Sequence, residues 1–134
     1  MTAGLRALAA AVAMMMAGSA VHAAAPLPRL LKGLEAGEWE LRERGADGAI
    51  RRLCVSNLSQ LLQSGHSGSS CKSFTVSDTA RRLIVTYECG AAGSGRTDLR
   101  IETARLVQIQ SQGIADGAPF AFASEGRWLG ACRQ

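Results

Sequence analysis

In several runs between Glu38 and Trp128 apolar and polar residues alternate with a period of two, and this alternation marks those runs as strands. In Arg82–Cys89, Leu83, Val85, Tyr87 and Cys89 share one face, opposite Arg82, Ile84, Thr86 and Glu88. In Arg96–Glu102, Thr97, Leu99 and Ile101 oppose Arg96, Asp98, Arg100 and Glu102. In Arg105–Gln112, Val107 and Ile109 oppose Leu106, Gln108, Gln110 and Gln112. In Glu38–Arg44, Trp39 and Leu41 oppose Glu38, Glu40, Arg42 and Arg44. Shorter candidates are Ile50–Val55, Lys72–Val76 and Phe120–Trp128. One apolar face against one charged face is the pattern of an antiparallel sheet with one side in water. Gly45-Ala46-Asp47-Gly48, Ser77–Ala80, Gly90–Gly95 and Gly113–Pro119 supply turn chemistry between the runs. The connections suit hairpins, so the expected fold is mainly β: an antiparallel meander. It is expected to bury its apolar face by forming a strongly curved sheet or small barrel, with a sandwich as the alternative. The exception is Ser56–Ser64, where Ser56 is a candidate cap for a short helix after the second strand, with Leu58, Leu61 and Leu62 on one side.

The first 23 residues stand outside this pattern. Arg6 precedes an uncharged apolar run from Ala7 to Val21, and Val21-His22-Ala23 fits the small-x-small rule for signal peptidase. This is a secretory leader, with cleavage expected after Ala23 and Ala24 or Ala25 as alternatives. The run is shorter than the roughly 20 residues needed to span a bilayer. An exported, periplasmic protein is therefore expected, with no transmembrane segment in the mature chain. Removing the leader leaves 111 of the 134 residues and lowers the charge from +4 to +3. The expected organisation is residues 1–23 as signal peptide, 24–36 as an N-terminal tail or short helix, and 37–134 as one disulfide-linked β domain. In the 24–36 segment Leu27, Leu30, Leu31 and Leu34 follow Pro26 and Pro28 at helical spacing.

A domain of this size has a thin core margin, so a further stabiliser is expected. Cys54, Cys71, Cys89 and Cys132 make an even count in an exported chain and read as two disulfides. The three possible pairings stay open on sequence alone. Cys54–Cys71 with Cys89–Cys132 is favoured here, since the first closes a short loop around the helix-like stretch and the second ties the last residues to a mid-chain strand. No Cys-x-x-Cys occurs, and the spacings fit no zinc knuckle, so neither thiol redox chemistry nor a metal is expected.

Candidate chemistry is sparse. His66 is the one histidine left after the leader, and it lies in a glycine–serine stretch. A triad of His66 with Ser67 or Ser69 and Asp47, Asp78, Asp98 or Asp116 needs a rigidly held base. The stretch reads instead as a solvated loop. Glu38, Glu40, Glu88, Asp98 and Glu102 interleave with Arg on the charged face, as cross-strand ion pairs do. Arg51-Arg52 and Arg81-Arg82 point to opposite faces of a strand. Trp39, Phe74, Tyr87, Phe120 and Phe122 are assigned to the core, so no nucleic-acid interface is expected. No phosphate loop or dinucleotide fingerprint occurs, and no cofactor is expected.

Several motifs recur in a fixed order. Gly37-Glu38-Trp39-Glu40 comes first, then Cys54 and Cys71, then Tyr87-Glu88-Cys89, then a loop with Gly93 and Gly95, then Leu129-Gly130-Ala131-Cys132. From about Leu34 to Cys132 the chain resembles a family of short exported bacterial proteins, domain-of-unknown-function family 3617. That resemblance implies a periplasmic, four-cysteine β-rich domain and brings no activity, cofactor or catalytic residue with it. Ser77–Ala80 departs from the pattern, which has a glycine turn there. The combined expectation is a non-enzymatic binding or envelope-associated module, whose partner is an envelope protein or a small apolar ligand. The alternatives are a lipid or small-ligand carrier, and an inhibitor of a periplasmic hydrolase acting through Ser64–Ser70 or Gly90–Gly95.

Overall fold

The computed structural model describes residues 27–45, 47–68 and 70–133. The expected leader, residues 1–23, lies outside the described residues, as do residues 24–26 of the expected tail. Seven strands form: β1 (Gly37–Glu43), β2 (Ile50–Val55), β3 (Lys72–Asp78), β4 (Arg82–Glu88), β5 (Gly93–Thr103), β6 (Leu106–Ala115) and β7 (Ala118–Gly130). They make one antiparallel sheet in the order β2-β1-β7-β6-β5-β4-β3. From β3 to β7 the chain is a meander. The β1–β2 hairpin then adds to the far side of β7, so β2 and β3, consecutive in sequence, stand at opposite edges.

The turns are tighter than expected. β5 begins at Gly93, inside the anticipated Gly90–Gly95 loop. β6 and β7 join through Asp116-Gly117 alone, with φ of 50° and 79°, the two-residue hairpin geometry that suits the strand twist. At Ser77–Ala80 threonine replaces the glycine device: the Thr79 hydroxyl accepts from Arg82 N at 3.0 Å, and Thr79 N donates to Arg82 O at 2.9 Å.

The inner face is the one the alternation marked: Trp39, Leu41, Val55, Leu83, Val85, Leu99, Val107 and Ile109 are buried in one cluster. The sheet is nevertheless open, with two edges, and is neither a barrel nor strongly curled. The expectation of self-closure is corrected because a second layer is present. A 3₁₀ turn at Leu30–Gly33 brings Leu30, Leu31 and Leu34 onto the inner face. The β2–β3 connection crosses the same face and adds Leu58, Leu61 and Leu62. Each leucine withdrawn from water contributes about 1.5–3 kcal/mol, so the sheet has no need to fold over itself. The expected helix after β2 is likewise corrected to a 3₁₀ turn, Leu58–Leu61, followed by a second, Ser64–His66. Its cap is Asn57 rather than Ser56: Asn57 Oδ1 accepts from Ser59 N, and Gln60 Oε1 accepts from Asn57 N. The connection must cross the sheet in a few residues, and separate short turns do this where one longer helix would not. Among the described residues no helix is long and apolar enough to cross a membrane.

Both disulfides form, but with Cys54 bonded to Cys132 and Cys71 to Cys89. The favoured pairing is thereby overturned, and the strand order supplies the reason. Cys54 ends β2 and Cys71 precedes β3, so the two lie at opposite edges. Lys72 pairs with Glu88 across β3–β4, which makes 71 and 89 the next facing residues, with Cα atoms 4.2 Å apart. Glu38 in β1 is flanked by Cys54 on one side and Gly130 on the other, so Cys132 reaches Cys54 across the end of β1.

A peptide map without reduction is expected to yield Cys54–Cys132 and Cys71–Cys89. The first bond spans 78 residues and the second 18, so loop-closure entropy ranks them. Paired serine replacement of Cys54 and Cys132 should cost about 1 kcal/mol more in urea unfolding than that of Cys71 and Cys89.

Candidate functional site

The crossing connection does not cover the inner face completely. Between β2 and the Ser64–His66 turn lies a cleft of about 500 Å³, walled by Leu53, Gln63, Ser64 and His66, with Arg51 and Ser67 also lining it. Arg51 and Leu53 reach it because they lie on the inner side of β2, where Leu53 pairs with Trp39 and Arg51 with Leu41. Ser64 is 4% exposed, and its hydroxyl is buried without a hydrogen-bond partner. Such a group costs about 1–3 kcal/mol while it stays unpaired.

His66 is 5% exposed, which corrects the expectation of a solvated loop histidine. Its Nε2 lies 3.1 Å from Ala92 O and 2.9 Å from Ile114 O. Both oxygens only accept, so the proton sits on Nε2, and in that tautomer Nδ1 accepts from the Tyr87 hydroxyl at 3.1 Å. Tyr87 and Phe120 meet the imidazole edge-on, with centroids 5.3 and 5.5 Å away. The glycines singled out in the sequence clear this space. A Cβ on Gly93 would lie 1.9 Å from Ile114 O, and one on Gly95 would lie 2.4 Å from Tyr87 Oη. Behind the pair, Thr97 Oγ1 donates to Leu62 O at 2.6 Å and meets Ser111 Oγ at 2.9 Å. Burial pushes the Tyr87 hydroxyl above its ordinary range, against a smaller opposite pull from the Ser111 and Thr97 hydroxyls.

The structure does not bring the triad candidates together around His66. Ser67 Oγ donates to Ser64 O at 3.3 Å. Asp78 accepts from Arg29 N and Leu30 N, at 2.7 and 3.2 Å, and so holds the N-terminal turn to β3. Asp98 pairs with Arg82, and Asp116 forms the β6–β7 turn. Ser69 lies outside the described residues, and Asp47 sits in the β1–β2 turn. Cys54, Cys71, Cys89 and Cys132 are all engaged in the two disulfides.

The outer face carries the ion pairs that the alternation implied. Glu40 meets Arg52 at 3.1 Å and Arg42 at 3.4 Å, and Glu125 meets Arg127 at 2.7 Å. The Arg52 guanidinium holds the Glu40 carboxyl below the usual range, with Arg42 adding to it against a contrary desolvation. Arg127 and then Gln108 do the same for Glu125. Phe74, assigned to the core, is instead 54% exposed on edge strand β3. Its side of β3 faces away from the covering turns. The cleft was not legible in advance, because it depends on how far the crossing connection reaches over β1 and β7, and no local pattern encodes that reach.

Replacing His66 by Ala removes the partner of Tyr87 and opens a gap beside Phe120. Urea unfolding should show a loss of about 2–4 kcal/mol. Stability should also fall at both pH extremes. The raised Tyr87 favours the folded state below its unfolded value near 10, and that contribution is lost as pH rises through the folded value. The lowered Glu40 and Glu125 contribute above about pH 4.3, and their share is lost as pH falls through the folded values. Urea midpoints measured from pH 3 to 11 check both signs, with a small acid limb because these carboxylates are near the surface.

Set against known proteins, the chain matches no family model, no curated protein and no solved structure.

Proposed function

We propose that the chain is a non-catalytic, exported binding module of the periplasm that takes a small amphiphilic ligand in the cleft between β2 and the Ser64–His66 turn. The leader read in residues 1–23 and the two disulfides support export into an oxidising compartment. The cleft carries the reading. Its volume falls within the range of small-ligand sites. Leu53 offers an apolar wall, Ser64 an unpartnered hydroxyl, and Arg51 an exposed guanidinium with no carboxylate partner among the described residues. An alkyl chain with an anionic head matches that set. The non-catalytic part rests on His66, whose ring nitrogens are both engaged by Tyr87 and by backbone carbonyls.

The same geometry favours this ligand reading over its rivals. Leucines fill the space between the layers, so a ligand enters a cleft rather than a lumen. His66 is turned into the fold, and Ala92 O accepts from Asp116 N as well as from His66, which holds the Gly90–Ala92 turn against the β6–β7 turn.

Titration with dodecanoate, followed by calorimetry, should saturate at one site. Arg51→Gln should weaken binding about tenfold through loss of a charge-assisted contact. Ser67→Trp, at an exposed position on the cleft, should block it while far-UV circular dichroism stays unchanged. Absence of saturable binding by both dodecanoate and dodecyl maltoside overturns the amphiphile reading.

A further inference from the structure

The outer face of the sheet carries a groove, on the side opposite the cleft. Its arginines divide into two groups. Arg42, Arg52, Arg82, Arg100 and Arg127 each meet a carboxylate. Arg44 and Arg96 do not, among the described residues. These two line one groove of about 510 Å³, together with Gln110, Gln112, Ala121 and Ala123.

The register explains the groove. Across the sheet Arg96 pairs with Gln112 and Gln112 with Ala121, while Gln110 pairs with Ala123. Arg44 N donates to Ala123 O at 2.8 Å, which sets Arg44 beside Ala123 on the far side. Two alanines between long side chains leave a dip, with an arginine on each bank and amides between them. Arg44 donates to Gln108 Oε1 and feels Glu125 only at a distance, since Gln108 stands between them and Arg127 holds that carboxylate directly. Asp98 also borders the groove, but Arg82 engages both of its oxygens. The groove therefore keeps a surplus of positive charge and of free donors.

From this arrangement we infer that the groove binds a phosphate group, held between Arg44 and Arg96 with the Gln110 and Gln112 amides completing its hydrogen bonds. Donors approach from two banks and from between them, which suits a tetrahedral oxyanion better than a planar carboxylate. Guanidinium groups recognise phosphate oxygens in pairs. The phosphate belongs either to a lipid headgroup or to a soluble ester, since both present the same oxygens.

The test is a titration with inorganic phosphate at fixed ionic strength, read by backbone amide shifts. Saturable shifts should centre on Arg96, Gln110, Gln112, Ala121 and Ala123. Arg96→Gln, at an exposed and unpaired position, should keep the wild-type urea midpoint and weaken binding about tenfold. Arg52→Gln removes the same charge from the same face but from a paired arginine, and should change binding less than about twofold. Equal losses in the two variants, or no saturable shift in this groove, overturn the proposal. Cosedimentation with phosphatidylglycerol vesicles that Arg96→Gln abolishes assigns the phosphate to a lipid. Saturation by phosphate without cosedimentation assigns it to a soluble ester.

Discussion

The pairing of β1 with β7 is the interaction on which the remaining structure depends. It inserts the N-terminal hairpin at the end of the meander and so drives β2 and β3 to opposite edges. The chain between them must then traverse a full face of the sheet. That traverse buries Leu58, Leu61 and Leu62, carries His66 to Tyr87, and leaves the cleft beside β2. The same adjacency decides the cysteines, because it places the end of β7 within reach of Cys54 and puts Cys71 beyond it.

Two short motifs at the ends of the domain build this junction. Trp39 and Trp128 face each other across β1 and β7, and their indole nitrogens donate to Glu35 O at 2.9 Å and Ala36 O at 3.0 Å. Gly37, at φ 142°, lets the strands approach: a Cβ there would lie 2.3 Å from Gly130 O. Arg105 lies over the Trp128 ring, 4.5 Å from its centroid, and reaches Glu35 at 3.0 Å. The Gly-Glu-Trp-Glu and Trp-Leu-Gly-Ala-Cys segments thus serve one joint, a structural duty that accounts for both tryptophans.

The faces of the strands were legible in the sequence, and the neighbours were not. Leu83, Val85 and Tyr87 sort to the inner side by simple alternation, which is local and survives any strand order. Strand order is a long-range outcome, and nothing near Trp39 announces Trp128 as its partner. Sequence distance therefore does not choose the partners of the cysteines. The same holds for His66: its glycine and serine neighbours suggest solvent, whereas its burial comes from space cleared by Gly93 and Gly95, nearly thirty residues away. The candidate sites share this property. Leu53 and Ser64 are joined by the crossing connection, Arg44 and Arg96 by the register of four strands, and neither grouping has a signature in the linear order.

The β1–β7 contact also sets a timetable for the nascent chain. β1 is the first strand synthesised, and its partner is the last. The meander from β3 to β7 is built of local hairpins, with Cys71–Cys89 across its outermost pair. The first hairpin has to wait, its Trp39 face uncovered, until Gly126 and Trp128 emerge. Long-range closure of this kind is slow and leaves an apolar strand open to wrong partners in the interval. A polypeptide arranged in this way gains from being kept unfolded until all of it is available at once.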